Sequence, residues 1–281
     1  MRRGGELFLP EARQLAVIET GNLLRERPQF FPLITAVRMA ELKDPERAIV
    51  FWCAYLVTRR EDDAIDLDRP IPGDVDEYIR RHQSIVRQEI DPSADNYEQM
   101  LAFSVLRLES VQGSGDNVRE SFVNMTEAML VDKRRSQFPE FLTEDDLGKY
   151  YYGTFTHALN LSLIAAGSSM RADDLPEMVY TQGSLLSIRD LEKDWSPPRN
   201  LYNVPAEVLA IAGIDMAWEA GRVRRHPVIR EWAVEEKRKG RKGIRELSAR
   251  IRKNGDDGAR LLCLLPIIGM NVIARWPEPR R

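Results

Sequence analysis

Residues Glu46 to Asp66 read ERAIVFWCAYLVTRREDDAID, and this stretch decides the fold class. Its first half is apolar almost all round, the mark of a helix buried on most sides. Its charges come at its end. Stepping by three or four residues gives one face of Ala48, Phe51, Tyr55, Arg59, Asp62 and Asp66, with Asp63 adjacent. Two carboxylates one turn apart thus point the same way at a helix C-terminus, where partial negative charge already gathers. Such a placement asks for a cation. Mg²⁺ suits it, because it takes oxygen ligands and is held by one or two carboxylates together with substrate phosphates. Arg59, one turn back, can neutralise a carboxylate or meet a phosphate. The plainer reading is a solvated helix end running into the charge-rich turn EDDAIDLDRP.

The same arrangement recurs far along the chain. Leu175 to Asp194 includes QGSLLSIRDLEKDW, an apolar helix whose last turn carries Asp190 and Asp194 four apart and which Pro197-Pro198 stops. Gly183, Ser187, Asp190 and Asp194 share a stripe, so small residues lead up to the carboxylates and leave room for a ligand or a neighbouring helix. Arg189, Lys193 and Arg199 supply cations for phosphate oxygens. Alone, this segment reads as a surface turn rich in ion pairs. Two apolar helices, each ending in paired carboxylates beside an arginine, suit a cleft with opposed acidic walls that share a metal–diphosphate cluster.

Outward from these two segments, helical spacing of apolar residues recurs and alternation of the strand kind is scarce, so the chain is expected to be all-α. The spacing predicts helices over 11–25, 33–42, 45–67, 74–90, 95–112, 116–135, 143–170, 174–195, 205–220, 226–239, 241–253 and 256–274. Breaks fall at Pro70/Pro72, Gly113-Ser-Gly115, Pro139 and Pro197-Pro198. With 281 residues, one all-helical domain over 1–281 is the simpler organisation.

Composition narrows the function classes. Apolar residues make up 43% and charged residues 30%, which places the chain among globular proteins. The net charge of −3 gives no general argument for a nucleic-acid partner. Cys53 and Cys263 lie among apolar residues and read as buried thiols in a reducing compartment. His82, His157 and His226 lack the spacing of a zinc site. His157 reads as a hydrogen-bonded core residue. No apolar run of signal-peptide length follows Met1, so a cytoplasmic protein is expected. Leu261–Ala274 is shorter than the ~20 residues needed to span a bilayer and reads as a kinked core helix. The basic run Lys237–Lys242, with Arg222, Arg224 and Arg225, reads as a solvated helix face, with peripheral contact to anionic lipid as the alternative.

At the acidic segments the chain resembles the squalene/phytoene synthase family, the head-to-head branch of the trans-prenyl transferases. Tyr55-Leu-Val-Thr-Arg59-Arg-Glu-Asp62-Asp63-Ala-Ile-Asp66 looks like that family's Y-x-x-x-R-x-x-D-D-x-x-D helix. Arg189-Asp190-Leu-Glu-Lys-Asp194 resembles its R-D-x-x-x-D motif, and Arg199-Asn-Leu-Tyr202-Asn-Val-Pro205 the segment after it. Pro28-Gln-Phe30-Phe31 sits where the family has a polar and aromatic stretch, and Tyr150-Tyr-Tyr152 begins a helix similar to its mid-chain substrate helix. The similarity spans about residues 28 to 210.

The resemblance implies a single isoprenoid-synthase-like helical bundle with a central cavity. It implies an enzyme that condenses two prenyl diphosphates head to head with loss of diphosphate. Two or three Mg²⁺ ions would be held by Asp62, Asp63, Asp66, Asp190 and Asp194. Arg59, Arg189 and Arg199 would lie near the diphosphate, and Tyr55, Tyr152, Phe155 and Tyr202 would bind the substrate. NADPH is compatible with this chemistry but not indicated by any residue. Departures bear on the product: Gly183 and Leu186 stand where the family has Gln and Asn, Lys193 replaces an acid, and Phe155 and Leu159 fall where small residues are common. A terpene cyclase acting on one prenyl diphosphate, and a non-catalytic assembly or binding protein, therefore stay open beside the condensing enzyme. Prenyl chain length, product skeleton and oligomeric state stay open too.

Overall fold

The computed structural model describes residues 7–27, 34–35, 37–38, 41–42, 44–71, 73–111 and 117–254, and among these it contains ten α-helices and no strand. The helices are α1 (Leu9–Glu26), α2 (Pro45–Ile65), α3 (Val75–Val86), α4 (Asn96–Val111), α5 (Val118–Gln137), α6 (Glu144–Ala165), α7 (Pro176–Trp195), α8 (Ala206–Ala212), α9 (Ala220–Arg225) and α10 (Pro227–Asn254). The expected all-α class is what the chain forms. Pro28–Phe31, the break at Gly113-Ser-Gly115, the helix expected over 256–274 with its Leu261–Ala274 run, and Cys263 lie outside the described residues. Of the helix expected over 33–42, residues 34, 35, 37, 38 and 41 are helical.

The central helix α2 starts where its sequence says it should. Asp44 accepts a hydrogen bond from the Arg47 N–H at 3.1 Å, and Pro45 occupies the first helical position, where its missing N–H costs nothing. Ile49, Val50, Trp52, Cys53, Leu56 and Val57 are buried in a cluster with α1, α4 and α5. Trp52 donates its indole N–H to Thr20 on α1 at 2.7 Å. Burial pushes the Cys53 thiol up to about 12, so it stays protonated and acts as a small apolar side chain. Phe51, Tyr55, Arg59 and Asp62, on the other side of α2, remain half-buried.

Two further apolar clusters complete the core. One joins Leu159 and Leu163 of α6, Met178, Val179 and Leu185 of α7, and Ile244 and Leu247 of α10. The other gathers Leu191, Trp195, Tyr202, Leu209, Val223 and Ile229 around the end of α7. Thus α6 belongs to the first two clusters and α7 to the last two, and these helices hold the core together.

Several boundaries differ from expectation. The helix expected over 205–220 ends at Ala212, because Gly213 takes the left-handed conformation (φ 62°) that closes a helix, and the chain resumes helically only at Ala220. The helices expected over 226–239 and 241–253 are one, α10. Gly240 does not break it; a Cβ there would lie 3.2 Å from the Leu185 side chain, so the glycine lets α10 approach α7 closely. Among the described residues, no helix is long and apolar enough to cross a membrane.

Candidate functional site

The ends of α2 and α7 meet. Arg199, in the loop after α7, donates to Asp66 at the end of α2 and, at 3.2 Å, to Asp194 in the last turn of α7. It also reaches Asp68 at 2.9 Å, and Lys193 binds the same Asp68 carboxylate at 2.8 Å. Arg199 itself is largely enclosed, with 12% of its side chain exposed. The two acidic segments, far apart in sequence, are therefore tied by one guanidinium.

On the α2 side, Arg59 binds Asp62 at 2.6 Å and also binds Asp63. Asp62 stays partly open, whereas Asp63 turns inward, is buried, and takes a second cation, Arg27, at 3.1 Å. Burial raises the Asp63 carboxyl even though Arg59 and Arg27 oppose the shift. On the α7 side, Arg189 is exposed and holds its neighbour Asp190 by two bonds, of 2.8 and 2.5 Å. Asp66 is lifted to about 7 by burial and by the nearby Asp62, and Asp194 to about 6 by burial and by Asp190. Even with Arg199 between them, these carboxyls are short of positive charge.

A buried polar chain behind Asp194 was not readable in the sequence. Asn203 donates to Asp194 at 3.3 Å and accepts from Arg135 of α5 at 3.0 Å. Arg135 also pairs with Asp132 at 3.4 Å and lies over the Tyr150 ring at 4.7 Å. The Tyr150 hydroxyl donates to Asp132 at 2.7 Å. Asp132 is pushed up to about 6 by burial, against the pull of Arg135. Asp68 and Arg27 were missed as well. Asp68 had one sequence signal, its place in the acidic turn after α2, but it reaches the site because Leu67 adopts a left-handed conformation (φ 58°).

The aromatic candidates divide. Tyr55 stacks on Trp52 with ring centroids 5.1 Å apart, one turn before Arg59, and burial raises its phenol. Tyr152 is not brought to the aspartates: it is exposed on the other side of α6 and donates to Asp173 at 2.6 Å. Phe155 packs against the cluster between α6, α7 and α10. Tyr202 is buried against Trp195 and Phe141. The small stripe on α7 makes room for a helix: a Cβ at Gly183 would collide with the Tyr151 ring, and the Tyr151 hydroxyl donates to Ser187 at 2.9 Å. The His157 Nδ1 is buried without a hydrogen-bond partner, and burial lowers the imidazole's pKa, which corrects the expectation of a hydrogen-bonded core residue.

The cavity bordered by Asp66, Asp132 and Arg199 holds about 30 Å³. A wider cleft of about 750 Å³ opens at the start of α6, beside Glu144, Lys149 and Tyr152. Among the described residues, no group of three or more His, Cys, Asp or Glu side chains converges on a point where they would share an ion. The donors still fit Mg²⁺: all are carboxylate oxygens, they come in pairs, and in each pair the outer carboxylate raises the inner one, Asp62 raising Asp66 and Asp190 raising Asp194. Such a set offers one or two carboxylates per ion, the mode in which phosphate oxygens complete the coordination. No protein-family model matches the chain, and no curated protein matches it at a significant level.

Proposed function

We propose that this chain is a Mg²⁺-dependent enzyme of prenyl diphosphates, an isoprenoid-synthase-like bundle that joins two substrates head to head with loss of diphosphate. The observation that carries the reading is Arg199 bridging Asp66 and Asp194, which puts the two paired-carboxylate helix ends on opposite sides of one positive charge. Asp62 and Asp66 on one wall, and Asp190 and Asp194 on the other, would hold the metal, with Asp63 supporting Arg59. Bound Mg²⁺ supplies charge neutralisation of the departing diphosphate. Arg59, Arg189 and Arg199 bind phosphate oxygens, exchanging carboxylate partners for the substrate's. Phe51 and Tyr55, half-buried on the face that leads to Arg59, offer an aromatic wall that stabilises developing cationic charge and excludes water.

A second reading is a non-catalytic binding or assembly protein. The pairing of each aspartate with an arginine favours it. One experiment separates the readings. Purified protein is incubated with Mg²⁺ and, in turn, geranyl, farnesyl and geranylgeranyl diphosphate, with and without NADPH, and extracted hydrocarbons are identified by mass. A product of doubled carbon number, lost in Asp62→Asn and Asp190→Asn, is expected. A product of unchanged carbon number makes the enzyme a cyclase. No product, with no Mg²⁺-dependent thermal stabilisation by any of the diphosphates, leaves the non-catalytic reading.

A further inference from the structure

The strongest charge imbalance in the chain lies on α10. From Lys237 to Lys253 it carries nine lysines and arginines and one acid, Glu246, in a protein whose net charge is −3. Packing divides the helix into two faces. Ile229, Ala233, Glu236, Gly240, Ile244 and Leu247 are buried. On the opposite side, Arg238, Lys242, Arg245, Ala249 and Lys253 recur every three or four residues and all are exposed. At 1.5 Å per residue this row runs for about 22 Å.

The intrahelical pairs do not cancel the field. Arg238 meets Glu235 at 2.7 Å and Lys242 meets Glu246 at 3.8 Å, both as exposed pairs of the weak kind. Arg245 and Lys253 make no ion pair with any described residue. No aromatic side chain lies in the row.

We propose that the outer face of α10 docks on an anionic lipid bilayer. A straight row of like charges matches a plane of anionic headgroups. A single phosphate would call for converging donors, and single-stranded nucleic acid for aromatic side chains on which bases stack.

The test is co-sedimentation of the full chain with vesicles of phosphatidylcholine alone and of phosphatidylcholine with phosphatidylserine, with no prenyl diphosphate present. Its outcome is therefore separate from that of the proposed reaction. Binding to the anionic vesicles only, weakened by added salt, is expected. Lys242→Glu combined with Arg245→Glu should lower the partition coefficient by about thirtyfold or more, at an unchanged melting temperature. Equal binding to neutral vesicles, a variant that binds like the parent, or tighter retention of single-stranded RNA than of anionic vesicles at the same ionic strength would each overturn the proposal.

Discussion

Replacing Arg199 by alanine tests the central electrostatic argument without reference to any reaction. The guanidinium serves Asp66, Asp68 and Asp194, whose side chains keep only 15%, 19% and 11% of their surface exposed. Removing one partner from a buried ion pair costs about 3–5 kcal/mol. Asp68 would retain Arg27 and Lys193, so the lower end, about 3 kcal/mol, applies. In a chain of this size that is a fall of roughly 5 °C in Tm. The deficit should depend on pH. Asp66 and Asp194 already sit at about 7 and about 6 with the arginine in place, and both rise without it. A carboxyl whose folded pKa lies above its unfolded value binds protons in the native state first, so stability falls as pH rises between the two values. The loss in Arg199→Ala should therefore be small near about pH 5, where both carboxyls are protonated, grow as pH rises through about 6 and 7, and be full only above the variant's still higher values. Added Mg²⁺ should restore more stability to the variant than it gives the parent, because it replaces the missing charge. Thermal melts followed by circular dichroism from acid to neutral pH measure all three effects. A variant that melts within about 2 °C of the parent at neutral pH would refute the view that Arg199 offsets buried negative charge.

Two further outcomes follow from features away from the carboxylate cluster. Burial pushes Glu98 up, but Arg81 and the Ser93 N–H outweigh it and hold the carboxyl down to about 2. Glu98→Gln should thus lose about 1 kcal/mol at neutral pH, a penalty that fades as pH falls from the unfolded value toward about 2, as melts at matched pH will register. Gly183→Ala should cost about 2 kcal/mol, because the new Cβ meets the base of the Tyr151 ring and not a flexible tip. Urea denaturation measures that loss, and an unchanged midpoint would mean that α6 and α7 separate at little cost.

The sequence made α2 and both carboxylate pairs legible because they rest on local rules. A capping aspartate, a proline at the first position and an apolar helix with charges at its end are read within one segment. Gly240 misled because its purpose is tertiary: only the approach of Leu185 explains a glycine inside a continuous helix. Three consecutive tyrosines show the limit for the site. About 100° apart on α6, Tyr150 meets Asp132, Tyr151 meets Ser187 and Tyr152 meets Asp173, so choosing the functional one requires knowing what surrounds the helix. The chain through Asp132, Arg135 and Asn203 was hidden for the same reason, since the Asp132–Arg135 pair of α5 meets Asn203 and Asp194 only through folding. Asp68 was hidden by Leu67, whose left-handed conformation carries no glycine or asparagine to announce it.

The passage of α7 from the second apolar cluster into the third also bears on how the molecule opens. Asp194 lies within the third cluster, between Leu191 and Trp195, and that cluster rests on the short helices α8 and α9. Cooperative units of this size exchange amide hydrogens by partial opening well before the whole chain unfolds. Release of Ala206–Arg225 would uncover Tyr202 and Trp195, whose indole N–H donates to the Trp218 carbonyl at 2.9 Å, while Asp62 and Asp66 stayed on a helix anchored by Trp52 and Leu56. The two acidic walls are therefore unequal in persistence, and amide exchange around Asp194 should follow that of α8 and α9, not that of α2.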